Sequence, residues 1–323
     1  MMGMKSKSTL SNSSQVVDRE IVERLLLGAA PERAADLRGM WSKYDPTFLI
    51  NRDCPLLVFT AKKDRIGFSH KTLRHDWVLG FAGWKAFRCY SPAIVAAALT
   101  GAPLDPVALD MDNGLPAEEA VFEELVYTAQ LLARAATADE VPWPAAIPEP
   151  VADGSSLSLE DRAAFELLCI ATAASFMHEM SHIRFAQEQK RFDSSPEEER
   201  KCDEVARKFI LEGASEYGRS AGWAVERVLT KRTMGLALAA YIIHETTPSA
   251  SRGGSDSHPS SADRFEEFVG EATAADDSDC WVFAASLLLA AIRRARRFTH
   301  QVDFESPKNL CAKLIRLLRE AHP

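Results

Sequence analysis

The sequence has few cysteines, and none of them forms a close pair with another. Its six cysteines lie at positions 54, 89, 169, 202, 280 and 311 of 323 residues, without a C-x-x-C motif. This scatter argues against both a disulfide framework and a cysteine-based zinc site. Reduced thiols are typical of the cytoplasm, and we expect the protein to be located there.

Long hydrophobic runs are also missing. The longest, Met234 to Ile243, has ten residues, whereas a membrane-spanning helix needs about 20. We therefore expect this run to be a buried core helix and the chain to have no membrane span. The first seventeen residues are rich in Ser, Lys and Asn and lack the apolar segment of a secretory signal. We expect residues 1–16 to form a disordered tail.

Positive charge is in deficit, with 38 Lys and Arg residues against 46 Asp and Glu residues and a net charge of −8. An acidic chain does not present a general nucleic-acid-binding surface, so we expect no nucleic-acid partner. The chain is 46% hydrophobic, which is enough to bury a full core at this length.

What the sequence does contain is the pentapeptide His178-Glu179-Met180-Ser181-His182. An H-E-x-x-H motif on a helix puts two imidazoles one turn apart on one face, where both can bind a zinc ion. Glu179 lies beside the first ligand and can act as the general base. Ser158 as an N-cap, and the lack of Pro and Gly from Leu159 to Lys190, predict one long helix around the motif. The motif indicates metal-assisted hydrolysis, most often of a peptide bond.

A second helix is predicted after the motif, with Ser195 as its N-cap and an end near Gly213. Glu199 and Asp203 lie four residues apart on its apolar face, so both carboxylates should point toward the core. Buried carboxylates need partners. We expect Glu199 to be the third zinc ligand and Asp203 to accept a hydrogen bond from a ligand imidazole.

The helical wheel does not separate Glu198 cleanly from Glu199, so Glu198 remains an alternative third ligand. In its other interpretation, Glu198 shares with Glu197 a favourable interaction with the helix dipole at the N-terminus.

Further along, Ser257-His258-Pro259 precedes Arg264. His258 is the best candidate outside the motif for a donor to the oxyanion of the reaction. In the alternative, the S-H-P turn only caps the helix that begins near Ala262. Arg264 is expected to bind a carboxylate structurally, for example one on the zinc-bearing helices.

These motifs resemble the gluzincin metallopeptidases, in which H-E-x-x-H is followed by E-x-x-x-D; here the matching residues are His178, Glu179, His182, Glu199 and Asp203. The segment from Ser257 to Phe265 is similar to the S-H-P-x-x-x-x-R segment of several gluzincins. Together the motifs, within residues 158–268, look most like the Lit-type peptidases, cytoplasmic bacterial enzymes associated with phage exclusion. The resemblance implies a toxic endopeptidase that cleaves a host translation protein, such as elongation factor Tu, when a phage component or another activator triggers it.

The fold class predicted is α+β and mostly α. Strands are predicted at residues 56–60, 65–68 and 77–81, within a small N-terminal β-rich region that forms the cleft wall. Almost everything after residue 158 is predicted to be helical, giving a zincin-like core around the motif helix. We expect four parts: a tail (1–16), an N-terminal α+β region (17–140), a Pro-rich linker (141–157) and a helical zinc metallopeptidase domain (158–323).

The function predicted is a zinc-dependent endopeptidase that acts on an intracellular protein. Two alternatives remain. One is a regulatory metalloprotease that acts on a transcriptional regulator, and the other is an interaction module that uses zinc only to join its helices. Glu179 argues against the second, because a structural zinc site has no use for a carboxylate between its ligands and usually has four protein ligands.

Overall fold

The computed structural model describes residues 14–112, 114–151, 153–270 and 272–322. Most of the predicted tail, residues 1–13, lies outside the described residues. The strands are β1 (Ser14–Val17), β2 (Thr47–Asn51), β3 (Phe59–Lys62) and β4 (Arg65–Ser69). The helices are α1 (Arg19–Ala29), α2 (Ala34–Tyr44), α3 (His70–Thr100), α4 (Pro106–Met111), α5 (Leu115–Arg134), α6 (Leu159–Gln187), α7 (Ser195–Leu211), α8 (Ala214–Ser220), α9 (Val225–Thr246), α10 (Ser261–Val269), α11 (Asp279–Arg294) and α12 (Pro307–Ala321). The predicted class, α+β and mostly α, is confirmed.

The four strands form one sheet in the order β1-β2-β4-β3. Strand β2 pairs antiparallel with β1 and parallel with β4, and β3 pairs antiparallel with β4. Residues 14–16 therefore belong to a strand and not to the predicted tail, because their backbone pairs with β2. Strand β3 is an edge strand within the described part of the chain, so one side of its backbone is left without a strand partner.

The sheet packs on helix α6 through aromatic rings. The ring of Phe176 lies edge-on to three phenylalanines of the sheet, at centroid distances of 4.8 Å from Phe59, 5.4 Å from Phe68 and 5.8 Å from Phe48. Aromatic pairs favour this edge-to-face arrangement. Because Phe176 is two residues before His178, the contact holds β3 beside the H-E-x-x-H motif.

The prediction of a strand at residues 77–81 is wrong, because these residues lie in helix α3. Ser69 caps that helix by accepting a hydrogen bond from the backbone N–H of Thr72. Trp77, Val78 and Leu79 are all buried. A helix that is buried all round has a continuous apolar run, and such a run cannot be told from a core strand by periodicity. The strand predicted at 56–60 begins only at Phe59, whereas β4 lies where a strand was predicted.

Helix α6 lies against α3, α7 and α9 in the core. Ser158 caps it as predicted, accepting a hydrogen bond from the N–H of Asp161. Helix α9 approaches closely at Gly235, where a Cβ atom would lie 2.4 Å from Cγ2 of Ile170. This contact holds α9 directly behind the helix that carries the motif.

The Pro-rich segment 141–157 packs on the core and contains one 3₁₀ turn, Gly154–Ser156. Val141 and Ile147 are buried, and the indole N–H of Trp77 donates to the carbonyl of Pro148. One hydrophobic cluster extends from Val22 to Leu318. The division at this segment stays a prediction. In the described ranges, no helix is both long and apolar enough to cross a membrane.

Candidate active site

Helix α6 presents both motif histidines to the same point. The Nε2 atoms of His178 and His182 lie 3.2 Å apart. His178 is buried and His182 is partly exposed. The one-turn spacing of the motif on a regular helix produces this convergence.

Helix α7 begins one residue earlier than predicted, since Ser194 and not Ser195 is its N-cap and accepts a hydrogen bond from the N–H of Glu197. The predicted face is nevertheless correct. Glu199 points at the histidines, with Oε2 3.4 Å from Nε2 of His178 and Oε1 3.3 Å from Nε2 of His182.

The other nitrogen of each imidazole also faces a carboxylate. Nδ1 of His178 lies 2.8 Å from Oδ1 of Asp203, and Nδ1 of His182 lies 2.9 Å from Oε1 of Glu198. The interpretation of Glu198 as a helix-dipole residue alone is therefore wrong, because the packing of α7 against α6 brings its side chain to His182. A carboxylate beside Nδ1 favours the neutral tautomer that carries its hydrogen on Nδ1, and this tautomer has its lone pair on Nε2, where a metal ion can bind.

Arg264 on helix α10 joins the carboxylates of α7. Its Nη1 donates to Oδ1 of Asp203 at 3.1 Å and its Nη2 donates to Oε2 of Glu199 at 2.6 Å. Asp203 and Arg264 are buried. The guanidinium compensates buried negative charge and fixes the orientation of both acids.

Glu179 is held by the sheet. Its Oε2 accepts a hydrogen bond from the backbone N–H of Ala61 in strand β3. Burial raises the pKa of the Glu179 carboxyl, against the opposing effect of the neighbouring imidazoles of His178 and His182. A carboxylate with a raised pKa is a better proton acceptor near neutral pH.

The electrostatics favour a cation between the histidines. Burial alone would lower the pKa of His178, but the carboxylates of Asp203 and Glu199 outweigh it and raise that pKa to about 10. Burial likewise opposes the ionisation of Glu199. The hydrogen bonds with the imidazoles of His178 and His182 outweigh this effect and hold the pKa of Glu199 well below its usual range. The carboxylates around the two imidazoles thus stabilise positive charge at this point, whether a proton or a metal ion carries it.

One metal-ligand group found in the described residues combines His178, His182 and Cys202, whose ligand atoms lie within 4.8 Å of one another. This group could hold a metal ion, although the scattered cysteines had argued against a cysteine ligand. Cys202 is fully buried, and burial raises the pKa of its thiol far above the usual range. Because a thiolate is the form that binds metals, this shift weighs against Cys202 and in favour of the nearer Glu199.

The motif residues and the acids of helix α7 line a cavity of 820 Å³. His258 lies at its rim with a 60% exposed side chain, and its Nε2 is 4.0 Å from Oε1 of Glu199. Its Nδ1 lies 2.8 Å from the hydroxyl of Ser257. The structure therefore brings together all the candidate residues: His178, Glu179, His182, Glu198, Glu199, Asp203, His258 and Arg264.

Sequence reasoning missed two parts of the site. The backbone N–H of Ala61 has no sequence signal, since any residue except proline could supply it. The contact between Glu198 and His182 also has no sequence signal, because it depends on how α7 packs against α6.

Comparison with protein families agrees with this geometry. The family model described as Peptidase U49 matches residues 66–284, more than half of the chain and including the whole histidine and carboxylate cluster. The protein is therefore a peptidase, a hydrolase of peptide bonds. It belongs to the family Peptidase U49. No curated protein and no solved structure matches the chain.

Proposed function

We propose that this peptidase is a zinc-dependent endopeptidase whose metal ligands are His178, His182 and Glu199. The observation that carries the proposal is the set of distances between their ligand atoms, 3.2, 3.3 and 3.4 Å. Ligand atoms about 2.0–2.1 Å from zinc in a tetrahedral site lie roughly 3.3–3.4 Å apart. The two imidazoles are thus spaced as a pair of zinc ligands would be, and each oxygen of the Glu199 carboxylate lies close to one of them, so that this carboxylate would supply the third ligand.

Glu199 fits this role better than the other candidates. Glu198 is engaged with Nδ1 of His182, on the side of the ring away from the shared point. The thiol of Cys202 is hard to ionise, as its raised pKa indicates. Two imidazoles and one carboxylate, with a water position left open, are a common ligand set of catalytic zinc.

Each residue of the site has its own role in the proposed hydrolysis. Bound zinc would polarise the scissile carbonyl and lower the pKa of a water molecule. Glu179 removes a proton from the attacking water and passes it to the leaving amine. His258, at the cavity rim, donates to the oxyanion. Asp203 and Glu198 orient the two imidazoles, and Arg264 orients Asp203 and Glu199.

The free edge of strand β3 is evidence that the substrate is a polypeptide. Residues Phe59 to Ala61 line the cavity, and Glu179 reaches the N–H of Ala61 on the side of β3 that faces away from β4. An extended substrate can add to such an edge through main-chain hydrogen bonds. The exposed side chain of His258 indicates that the cavity reaches solvent, and an endopeptidase needs such an opening to admit an internal peptide bond.

The resemblance to the Lit-type peptidases indicates a biological role and a substrate. It implies a cytoplasmic enzyme that excludes phage by cleaving a host translation factor, with elongation factor Tu as the first candidate, after activation by a phage component. The alternatives are a regulatory metalloprotease with a transcriptional regulator as substrate and a zinc-stabilised interaction module. The buried, sheet-held carboxylate of Glu179 argues against the interaction module, because only a hydrolase needs a general base there.

The experiment is cleavage of cell proteins in extract. Purified protein is incubated with a bacterial extract, and new protein termini are identified by mass spectrometry, without and with a zinc chelator. We expect specific new termini that disappear on chelation and return when zinc is added. Cleavage that is unaffected by complete removal of the metal would contradict zinc dependence.

A further inference from the structure

Asp76 is the acidic residue of the cavity that the catalytic arrangement does not use. It lies on helix α3 and contributes to the cavity wall with Thr72, one helical turn before it. Its side chain is 22% exposed. Since the candidate zinc ligands lie on α6 and α7, Asp76 belongs to a different wall of the same cavity.

The cavity that Asp76 lines has apolar residues on several of its walls. The cavity is also lined by Leu57, by Ala174 on helix α6, and by Ile242 and Ile243 on helix α9. Ala174 is four residues, about one helical turn, before His178. The cavity therefore extends along α6 at least one turn away from the motif histidines, far enough to take a substrate side chain beside the scissile bond.

The carboxylate of Asp76 has incomplete pairing. Its Oδ1 lies 3.0 Å from Nδ1 of His75, and within the described residues no lysine or arginine forms an ion pair with it. Of the cations that line the cavity, Arg264 is engaged with Glu199 and Asp203, and Lys63 is exposed. A partly buried carboxylate that lacks a lysine or arginine partner gains from a cation that the substrate supplies.

We propose that Asp76 is a specificity-determining residue that binds a lysine or arginine side chain of the substrate beside the scissile bond. This inference rests on the proposed function. The apolar walls fit the aliphatic stem of such a side chain, and the carboxylate fits its charged end. A substrate α-ammonium group has the same charge but no stem to contact Leu57, Ile242 and Ile243.

The test is the cleavage of a random decapeptide library by the zinc-loaded enzyme, with products sequenced by mass spectrometry. We expect Lys and Arg to be enriched at one position beside the cut. In matched peptides, the ratio of kcat/KM for lysine over uncharged norleucine should fall about 10- to 100-fold in Asp76→Asn, as expected for loss of a charge-assisted hydrogen bond. Asp303→Asn, an exposed residue outside the cavity, should keep the wild-type ratio.

The outcomes separate the two proposals. Cleavage by the wild type with no basic preference at any position overturns the role of Asp76 and leaves the peptidase mechanism intact. Equal cleavage of peptides with acetylated and free N-termini supports side-chain recognition, and loss of cleavage on acetylation overturns it in favour of an α-ammonium group.

If no peptide is cut, the proposed function is wrong. The role of Asp76 is then tested by peptide binding instead of cleavage. Labelled lysine and norleucine peptides are titrated against Glu179→Gln protein by fluorescence anisotropy. Tighter binding of the lysine peptide supports the proposal, and equal binding overturns it. The same wild-type and Glu179→Gln comparisons apply even if Asp76→Asn fails to fold.

Discussion

The carboxylate of Glu179 on helix α6 accepts a hydrogen bond from the backbone N–H of Ala61 on strand β3. This bond joins the candidate general base to the edge of the sheet across 118 positions of sequence. It places the strand edge, the base and the histidines in one cleft. The contact of Phe176 with Phe59 and Phe68 holds the same two elements together two residues before the motif.

The histidines should determine metal content. His178→Ala and His182→Ala should each lose bound zinc, because the remaining protein ligands hold the ion poorly. Elemental analysis of purified protein measures this, and His300→Ala, at an exposed position, is the matched control. Full zinc occupancy in either motif variant would remove that histidine from the site.

The loss of zinc affinity on substituting an acid of helix α7 should depend on which imidazole nitrogen that acid contacts. Glu199→Ala should lose zinc and activity together, since Glu199 contacts both Nε2 atoms. Asp203→Asn and Glu198→Ala should weaken zinc affinity by about 10- to 100-fold, the usual cost of losing a residue that orients a ligand. Competition with a zinc-binding dye gives the affinities.

The half-exposed Glu198 should lie at the lower end of that range, because solvent screens its contact with His182. Glu197→Ala, which affects only the helix start, is the control. If Glu198→Ala loses zinc while Glu199→Ala keeps it, the assignment of the third ligand is wrong.

His258 should act in the reaction without holding the metal. His258→Ala should retain zinc and lower kcat by about 10²- to 10³-fold, as removal of an oxyanion donor typically does. Steady-state kinetics on a cleaved peptide, with zinc content measured on the same preparation, tests this. An unchanged kcat would leave the Ser257-His258-Pro259 turn with a purely structural role.

The packing behind the active helix should tolerate no added volume. Gly235→Ala should destabilise the protein by about 1–3 kcal/mol, because the new Cβ would overlap Ile170. Gly28→Ala, in helix α1 with nothing within 4 Å of the added atom, should be neutral or stabilise by about 0.5–1 kcal/mol. Urea unfolding compares the two. Equal effects of both changes would show that the contact between α6 and α9 is not tight.

The sequence alone predicted the local parts of this arrangement. The H-E-x-x-H spacing needs only a regular helix, and Ser158 and the absence of Pro and Gly predicted that helix. Glu199 and Asp203 were found from one face of a second helix. Helix α3 was partly mistaken for a strand at residues 77–81, because a fully buried helix has no alternation of polar and apolar residues.

The long-range parts of the site had no local signal. The N–H of Ala61 is a backbone group, and its position depends on the pairing of β3 with β4. Asp76 is an ordinary surface-type residue in the sequence, and only the packing of α3 against α6 brings it to the cavity. Such features depend on tertiary structure rather than on residue pattern.

The most direct test of the account is cleavage by Glu179→Gln. Glutamine keeps the size of the side chain and an oxygen for the Ala61 N–H, but it cannot take a proton from water. We predict a folded variant with full zinc content whose proteolysis falls by 10²-fold or more, the usual contribution of a general base, and whose expression no longer impairs growth. Undiminished cleavage would contradict the role of Glu179 as the base. Equal growth impairment by both proteins, without any cleavage, would instead favour a zinc-stabilised interaction module.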